Sequence, residues 1–203
     1  MKKTILNPIL LLITGLAIGI GGVFMYTNPS QSAKNGGKTV TTNLKYTNPK
    51  NTHKSGKKIF INASQNNNGN TSQMAKEMFG NQSYEQINLA DYNIPQVGQG
   101  DGDFPEIYNK LKGAKTIVIG TPVYWSNISG YLKTFIDHMN INDDIKNADL
   151  YVIVQGMDSN QDAAKQSAYS SLNRISYRFG LNFVGIASND SEVKTLKKKM
   201  LGM

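Results

Sequence analysis

Short apolar runs alternate with amphipathic stretches along the second two thirds of the chain. Apolar runs at 58–63, 84–89, 116–120, 150–154 and 182–186 have the length of buried strands. Between them, apolar residues recur at helical spacing. This predicts helices over 71–79, 104–111, 131–139 and 162–178, and a short basic helix over 191–201. Five such strand–helix units predict an α/β fold, a parallel sheet covered by helices on both faces. Right-handed crossovers restrict the topology, and the natural strand order is 2-1-3-4-5.

The first third reads differently. Residues 9–26 carry no charge and are rich in Leu, Ile and Gly, after a start that contains Lys2 and Lys3. As a helix this run would be about 27 Å long, close to the ~30 Å hydrocarbon core of a bilayer. An uncleaved signal anchor fits that length better than a cleaved signal peptide, for which Ser30-Gln31-Ser32 before Ala33 is a weak site. A buried core helix fits poorly, because the run is apolar all round. The basic start favours an outward-facing domain; the lysines beyond the span argue the other way. Residues 27–56 show no hydrophobic period and read as a Lys/Asn/Thr-rich disordered tether. The expected organisation is therefore 1–26 anchor or signal, 27–56 tether and 57–203 folded domain. It places the protein at the cell membrane, domain outward, or outside the cell after cleavage.

Charge and cysteine content narrow the function. The formal net charge is +8, yet seven lysines and no acid lie between Lys34 and Lys58. From Ile59 onward there are 13 basic and 14 acidic residues. The folded part is nearly neutral, which argues against a nucleic-acid partner. There is no cysteine, so disulfides, thiol catalysis and thiolate metal sites are excluded.

Two loops carry candidate chemistry. After the first strand comes Ser64-Gln65-Asn66-Asn67-Asn68-Gly69-Asn70-Thr71-Ser72. Small polar side chains at a helix start suit a phosphate, and Gly69 would permit a tight turn. Simple N-capping by Thr71 or Ser72 is the alternative. The Lys-Ser/Thr ending of a P-loop is missing. After the third strand comes Thr121-Pro122-Val123-Tyr124-Trp125-Ser126-Asn127-Ile128-Ser129-Gly130. An aromatic loop between strand and helix offers a planar ligand a stacking face and backbone N–H groups. In the expected topology both loops flank the switch point where ligands bind. Phosphate at one end and planar ring at the other describe flavin mononucleotide.

On these residues, with Leu132-Lys133…Phe135-Ile136-Asp137 and Asp91-Tyr92-Asn93-Ile94, the chain resembles the flavodoxin-like NAD(P)H-dependent FMN reductases over about 57–188. The resemblance implies a flavodoxin-like three-layer sandwich. It implies Ser64, Asn70 and Thr71 at the phosphate, in a loop completed by Asn66 and Gly69. It implies Pro122, Val123, Tyr124, Trp125, Ser126 and Asn127 around the isoalloxazine, with Gly156-Met157-Asp158 as a third wall. Asn66 and Asn67 stand where the family often has a basic residue, which should weaken the hold on phosphate. FMN is the implied cofactor and NAD(P)H the implied co-substrate, with a quinone, flavin or other small molecule as acceptor and a homodimer as an option. No side chain is needed as acid or base. An electron-transfer protein without its own nicotinamide site is the alternative, and a flavin-free interaction module a third. His138 is expected as a surface residue or a partner of the helix C-terminus, and Lys197-Lys198-Lys199 as a solvated helix end.

Overall fold

The computed structural model describes residues 55–156 and 161–203. The apolar segment 9–26, and all of the tether but its last two residues, lie outside them. Among the described residues no helix is long and apolar enough to cross a membrane.

The elements run β1 (Lys58–Asn62), α1 (Asn70–Phe79), β2 (Glu85–Asn88), α2 (Phe104–Leu111), β3 (Thr116–Tyr124), β4 (Asn127–Ile128), α3 (Gly130–Asp137), β5 (Asp149–Gln155), α4 (Gln161–Phe179), β6 (Asn182–Ala187) and α5 (Asp190–Leu201). Five strands are parallel in the order β2-β1-β3-β5-β6, and β4 pairs antiparallel with β3. The sheet therefore has six strands where the sequence predicts five. The parallel part keeps the predicted order; the sixth strand arises inside the aromatic loop.

Strand alternation sorts the core into two layers. Ile59, Ile61, Ile117, Ile119, Leu150 and Val152 face α2, α3 and α4. Phe60, Val118, Tyr151 and Ile153 face α1 and α5. The helices bury the matching stripes. Phe104, Ile107, Tyr108 and Leu111 are buried on α2, and Ala164, Ala168 and Leu172 on α4, all at three- or four-residue spacing.

β3 is four residues longer than the predicted strand. Its extension stays paired with β5 through Thr121↔Val154 and Pro122↔Gln155. A proline is tolerated there for a definite reason. The Gly120 carbonyl accepts from the Ala63 N–H at 2.8 Å, the last rung toward β1. Two residues on, Pro122 presents the same edge beyond the end of β1, so its missing N–H breaks no ladder bond.

One ion-pair network ties the start of α4 to the start of α5. Lys165 Nζ lies 2.8 Å from Glu192 Oε1 and 3.4 Å from Asp162 Oδ1. Glu192 Oε2 accepts from the Ser188 N–H at 2.7 Å and its hydroxyl at 2.9 Å, while Asn189 caps the helix. Burial opposes ionisation of Glu192, but the Lys165 contact and the Ser188 donors outweigh it and hold the carboxyl below its usual range. Burial likewise opposes the charge on Lys165, and Glu192 and Asp162 outweigh it and raise its pKa. The depressed carboxyl contributes its full stabilisation above the unfolded glutamate pKa and loses it as pH falls through its folded value. The raised ammonium contributes fully up to the unfolded lysine pKa and is lost only above it. Melting temperatures of wild type and Glu192→Gln should therefore differ at pH 7, with the gap narrowing as pH falls below the ordinary glutamate pKa and closing once it passes the depressed folded value. A gap that does not narrow on acidification would remove the ionised pair as its cause.

Candidate functional site

The site grows from the carboxyl ends of β1, β3 and β5. The loop after β1 is built almost wholly from amides that bond to one another. The buried Asn62 accepts from the Ser64 N–H at 3.2 Å and donates to the carbonyl of Asn66 and the side chain of Asn88, each at 3.2 Å. Ser64 Oγ accepts from the Asn66 N–H, and Asn66 Oδ1 from the Asn68 N–H, both at 3.1 Å. Asn67 Nδ2 donates to both oxygens of Asp91 at 2.8 and 3.1 Å, and Asn88 Nδ2 donates to Asp91 at 3.1 Å. The Asn67 contact, then that of Asn88, holds the Asp91 carboxyl below the usual carboxylate range. Asn66 and Asn67 thus shape and fasten the loop.

The loop ends at the start of α1. Gly69 is the N-cap, and no side chain caps the helix. Thr71 and Ser72 lie inside the first turn. Ser72 Oγ instead donates to the Asn67 carbonyl at 2.8 Å. Neither residue is the cap that the sequence offers as an alternative, and the first-turn N–H groups are left for another acceptor. Gly69 is not a left-handed turn residue: its φ is −77°. It is small because a Cβ there would stand 3.2–3.3 Å from the Asn66 side chain.

The aromatic loop is a hairpin. Val123↔Ile128 and Tyr124↔Asn127 pair, leaving Trp125 and Ser126 as the two turn residues. Their φ values are 50° and 60°, the left-handed pair that a tight hairpin turn requires and that Asn-Gly usually supplies. Non-glycine residues held there cost of order 1–3 kcal/mol each, and such strain gathers at ligand clamps. Trp125 is fully exposed and Tyr124 about half exposed, at 101% and 54%. Trp125 is therefore not a core residue.

Behind the hairpin, Ser129 joins three elements. Its hydroxyl caps α3 by accepting from the Leu132 N–H at 3.2 Å and donates to the Ala63 carbonyl at 2.8 Å. Its own N–H donates to Thr121 Oγ1 at 3.1 Å. Ser129→Ala removes a cap and orphans a buried carbonyl, so it should cost about 1–3 kcal/mol of stability in urea unfolding. A loss below about 0.5 kcal/mol would show that water replaces the hydroxyl.

These elements enclose a cleft of about 690 Å³ lined by Asn70, Pro122–Ser126, Gln155, Gly156, Ala163 and Ala164. That is the size of a small-molecule site. Seven predicted residues meet on its wall: Asn70, Pro122, Val123, Tyr124, Trp125, Ser126 and Gly156. Ser64, Asn66, Gly69 and Thr71 belong to the neighbouring loop and first turn. Asn127 turns away from the cleft role, its Oδ1 accepting from the Ile128 N–H at 2.8 Å and the Ser167 hydroxyl at 3.3 Å. Met157 and Asp158, expected in the third wall, lie outside the described residues. Sequence reasoning missed Gln155, Ala163 and Ala164, although Gln155 could be found as the last residue of a strand on the ligand side. No charged side chain lines the cleft among the described residues.

A flavin phosphate fits this arrangement. The uncapped α1 start supplies donors and partial positive charge. The hairpin supplies apolar and aromatic surface at the opposite end. A second hollow of about 430 Å³ lies across Tyr124, bounded by Leu89, Tyr92, Ile94 and Tyr131. His138 is not a surface residue. Its ring is buried against Phe104, with Nε2 2.8 Å from the Pro95 carbonyl and Nδ1 3.5 Å from Asp101. It fastens the end of α3 to the loop before α2. Lys197 pairs with Glu77 at 2.9 Å, while Lys198 and Lys199 lie in the last turn of α5.

Solved structures share this fold. The Trp repressor binding protein of Bacillus subtilis matches with TM-score 0.58 at 20% identity, over 71% of this chain and 97% of that one. An FMN-dependent NADH-azoreductase from Bacillus anthracis, in complex with FMN, matches with TM-score 0.53 at 20% identity, over 72% and 97%. An NADPH-quinone reductase from P. pentosaceus matches with TM-score 0.50 at 13% identity, over 72% and 96%. At such identities the likeness shows the fold. No curated protein matches the chain in sequence. Residues 57–176 match the family described as NADPH-dependent FMN reductase. That stretch holds β1 through most of α4, including every described wall of the cleft, and the chain belongs to this family of FMN-dependent NAD(P)H oxidoreductases, with FMN as cofactor and NAD(P)H as co-substrate.

Proposed function

We propose that the chain passes electrons from NAD(P)H through FMN to a small planar acceptor of the quinone class, from a domain tethered to the outer face of a membrane. One observation carries the reading of the site: a cleft that runs from an uncapped helix start to an aromatic hairpin, with no charged side chain on its wall among the described residues. The first-turn N–H groups at Asn70 and Thr71 hold the phosphate, in the loop that Ser64, Asn66 and Gly69 shape. Backbone groups of Pro122–Ser126 and Gly156 face the polar edge of the ring. Tyr124 and Trp125 cover its face and exclude water, while Ala163 and Ala164 keep the opposite wall low.

Bound FMN supplies the hydride chemistry, and the chain supplies binding, orientation and electrostatics. The aromatic hollow beyond Tyr124 supports an uncharged, planar acceptor over an ionic one. The quinone reductase among the structural neighbours is consistent with that choice. The tether and the apolar run 9–26 support the membrane location.

FMN-loaded full-length protein should bleach when NADH or NADPH is added without oxygen, and a water-soluble benzoquinone should restore its colour. Failure of the quinone to reoxidise it would exclude this acceptor. Flavin that binds but is not bleached would favour the carrier alternative, which an outward location, poor in nicotinamide, supports.

A further inference from the structure

The cleft does not end at the phosphate position. At the foot of α1 it continues into a groove of about 870 Å³ between α1 and α5, and the two hollows share Asn70 and Gln155 as walls. The uncapped start of α1 therefore stands at a junction. One arm leads to the aromatic hairpin. The other leads past Gln73 and Met74 to Ser188, Asp190, Ser191 and Lys194.

FMN has nothing to place in the second arm, since its phosphate is its terminal group. A flavin whose phosphate carries a further phosphate and a nucleoside has such a part. The chemistry of the groove suits it. Glu77 on its wall is paired with Lys197, and Lys194, which makes no close ion pair among the described residues, also acts on Glu77 through its charge. With Glu77 already held by Lys197, the Lys194 ammonium can turn to a second phosphate. Asp190 and Ser191 offer carboxylate and hydroxyl groups to a ribose, and Met74 offers an apolar surface to a base. The wall is stiff, because Asn189 and Glu192 close the start of α5 on itself.

We propose that the α1–α5 groove is an adenylate site, so that the chain binds FAD as well as FMN with a shared phosphate at the start of α1. This rests on the flavin reading of the main cleft. The adenosine half of a nicotinamide dinucleotide is the rival occupant. It is disfavoured because the groove opens at the phosphate end of the cleft, away from the hairpin where a nicotinamide must meet the ring.

Equilibrium quenching of flavin fluorescence by the full-length apo protein tests the proposal. FAD should bind within about tenfold of FMN. Ser191→Trp, an exposed position whose indole would fill the groove, should weaken FAD at least about tenfold and leave FMN unchanged. Lys194→Ala should weaken FAD several-fold and spare FMN. FMN uptake without FAD uptake overturns the adenylate site alone. Equal FAD affinity in wild type and Ser191→Trp overturns it too. A raised KM for NADH in FMN-loaded Ser191→Trp, with FAD affinity intact, assigns the groove to the rival. Uptake of neither flavin overturns both this inference and the reading it rests on.

Discussion

Gly120→Ala is expected to destabilise the protein by about 2–3 kcal/mol and to weaken FMN binding by roughly tenfold. The cause is contact with two elements at once. A Cβ at Gly120 would overlap Thr71 Cγ2 of α1 and approach Phe60 Cε2 of β1 to 2.9 Å. Thr71 is buried at the second position of α1, and Phe60 is fully buried. Neither can rotate away, so the start of α1 must lift from the sheet. That displacement moves the N–H groups assigned to the phosphate. Riboflavin, which lacks the phosphate, should lose little affinity, and the difference between the two flavins is the diagnostic reading. Gly185 is the control. A Cβ there meets Leu196 Cδ2 at 2.7 Å, the far end of a flexible side chain. Gly185→Ala should therefore cost less than Gly120→Ala and leave the FMN-to-riboflavin ratio unchanged. Equal losses at the two glycines, with equal effects on both flavins, would show that Gly120 acts only through general packing.

The second large effect is expected at Trp125, where stability and binding should move in opposite directions. Trp125→Gly relieves a side chain held at φ 50°, which should stabilise the apo protein by about 1 kcal/mol. The same change removes a fully exposed indole at the mouth of the cleft. If that indole covers the flavin, its loss should cost about 1–3 kcal/mol of binding, the scale of aromatic stacking. FMN affinity would then fall roughly 5- to 150-fold. Trp125→Phe should recover most of the affinity. Higher stability with unchanged FMN affinity would take Trp125 out of the site and leave the strain without a ligand to explain it.

Much of the fold is legible in the sequence because burial has a period. The α2 span coincides with the predicted 104–111, and the five parallel strands fall where apolar runs predict them. The hairpin is not legible, because periodicity reports burial and says little about turn geometry. Trp125-Ser126 carries none of the Asn-Gly chemistry that signals a two-residue turn, and Pro122 argues for a strand end until the end of β1 is located. At the site, the residues that touch the cleft were accessible through topology: strands end there. The residues that hold it were less so. Ser129 and Asp91 act through partners 66 and 24 residues away in sequence, and no local pattern encodes such pairings. Gly69 was found for the wrong reason, since its neighbour Asn66, rather than its own φ, requires a small residue.

The two ends of the cleft are held very unevenly. At the α1 end, the amide network, the Ser129 hydroxyl and the packing of Thr71 against Gly120 lock the donors to the sheet. At the hairpin end, two residue pairs join β4 to β3, and the tip projects into solvent. Such a pocket recognises its cofactor strictly and its visitors loosely. A chain built this way should keep the same flavin anchor while accepting partners of differing width, and tolerance for the second substrate becomes a property of a two-residue turn.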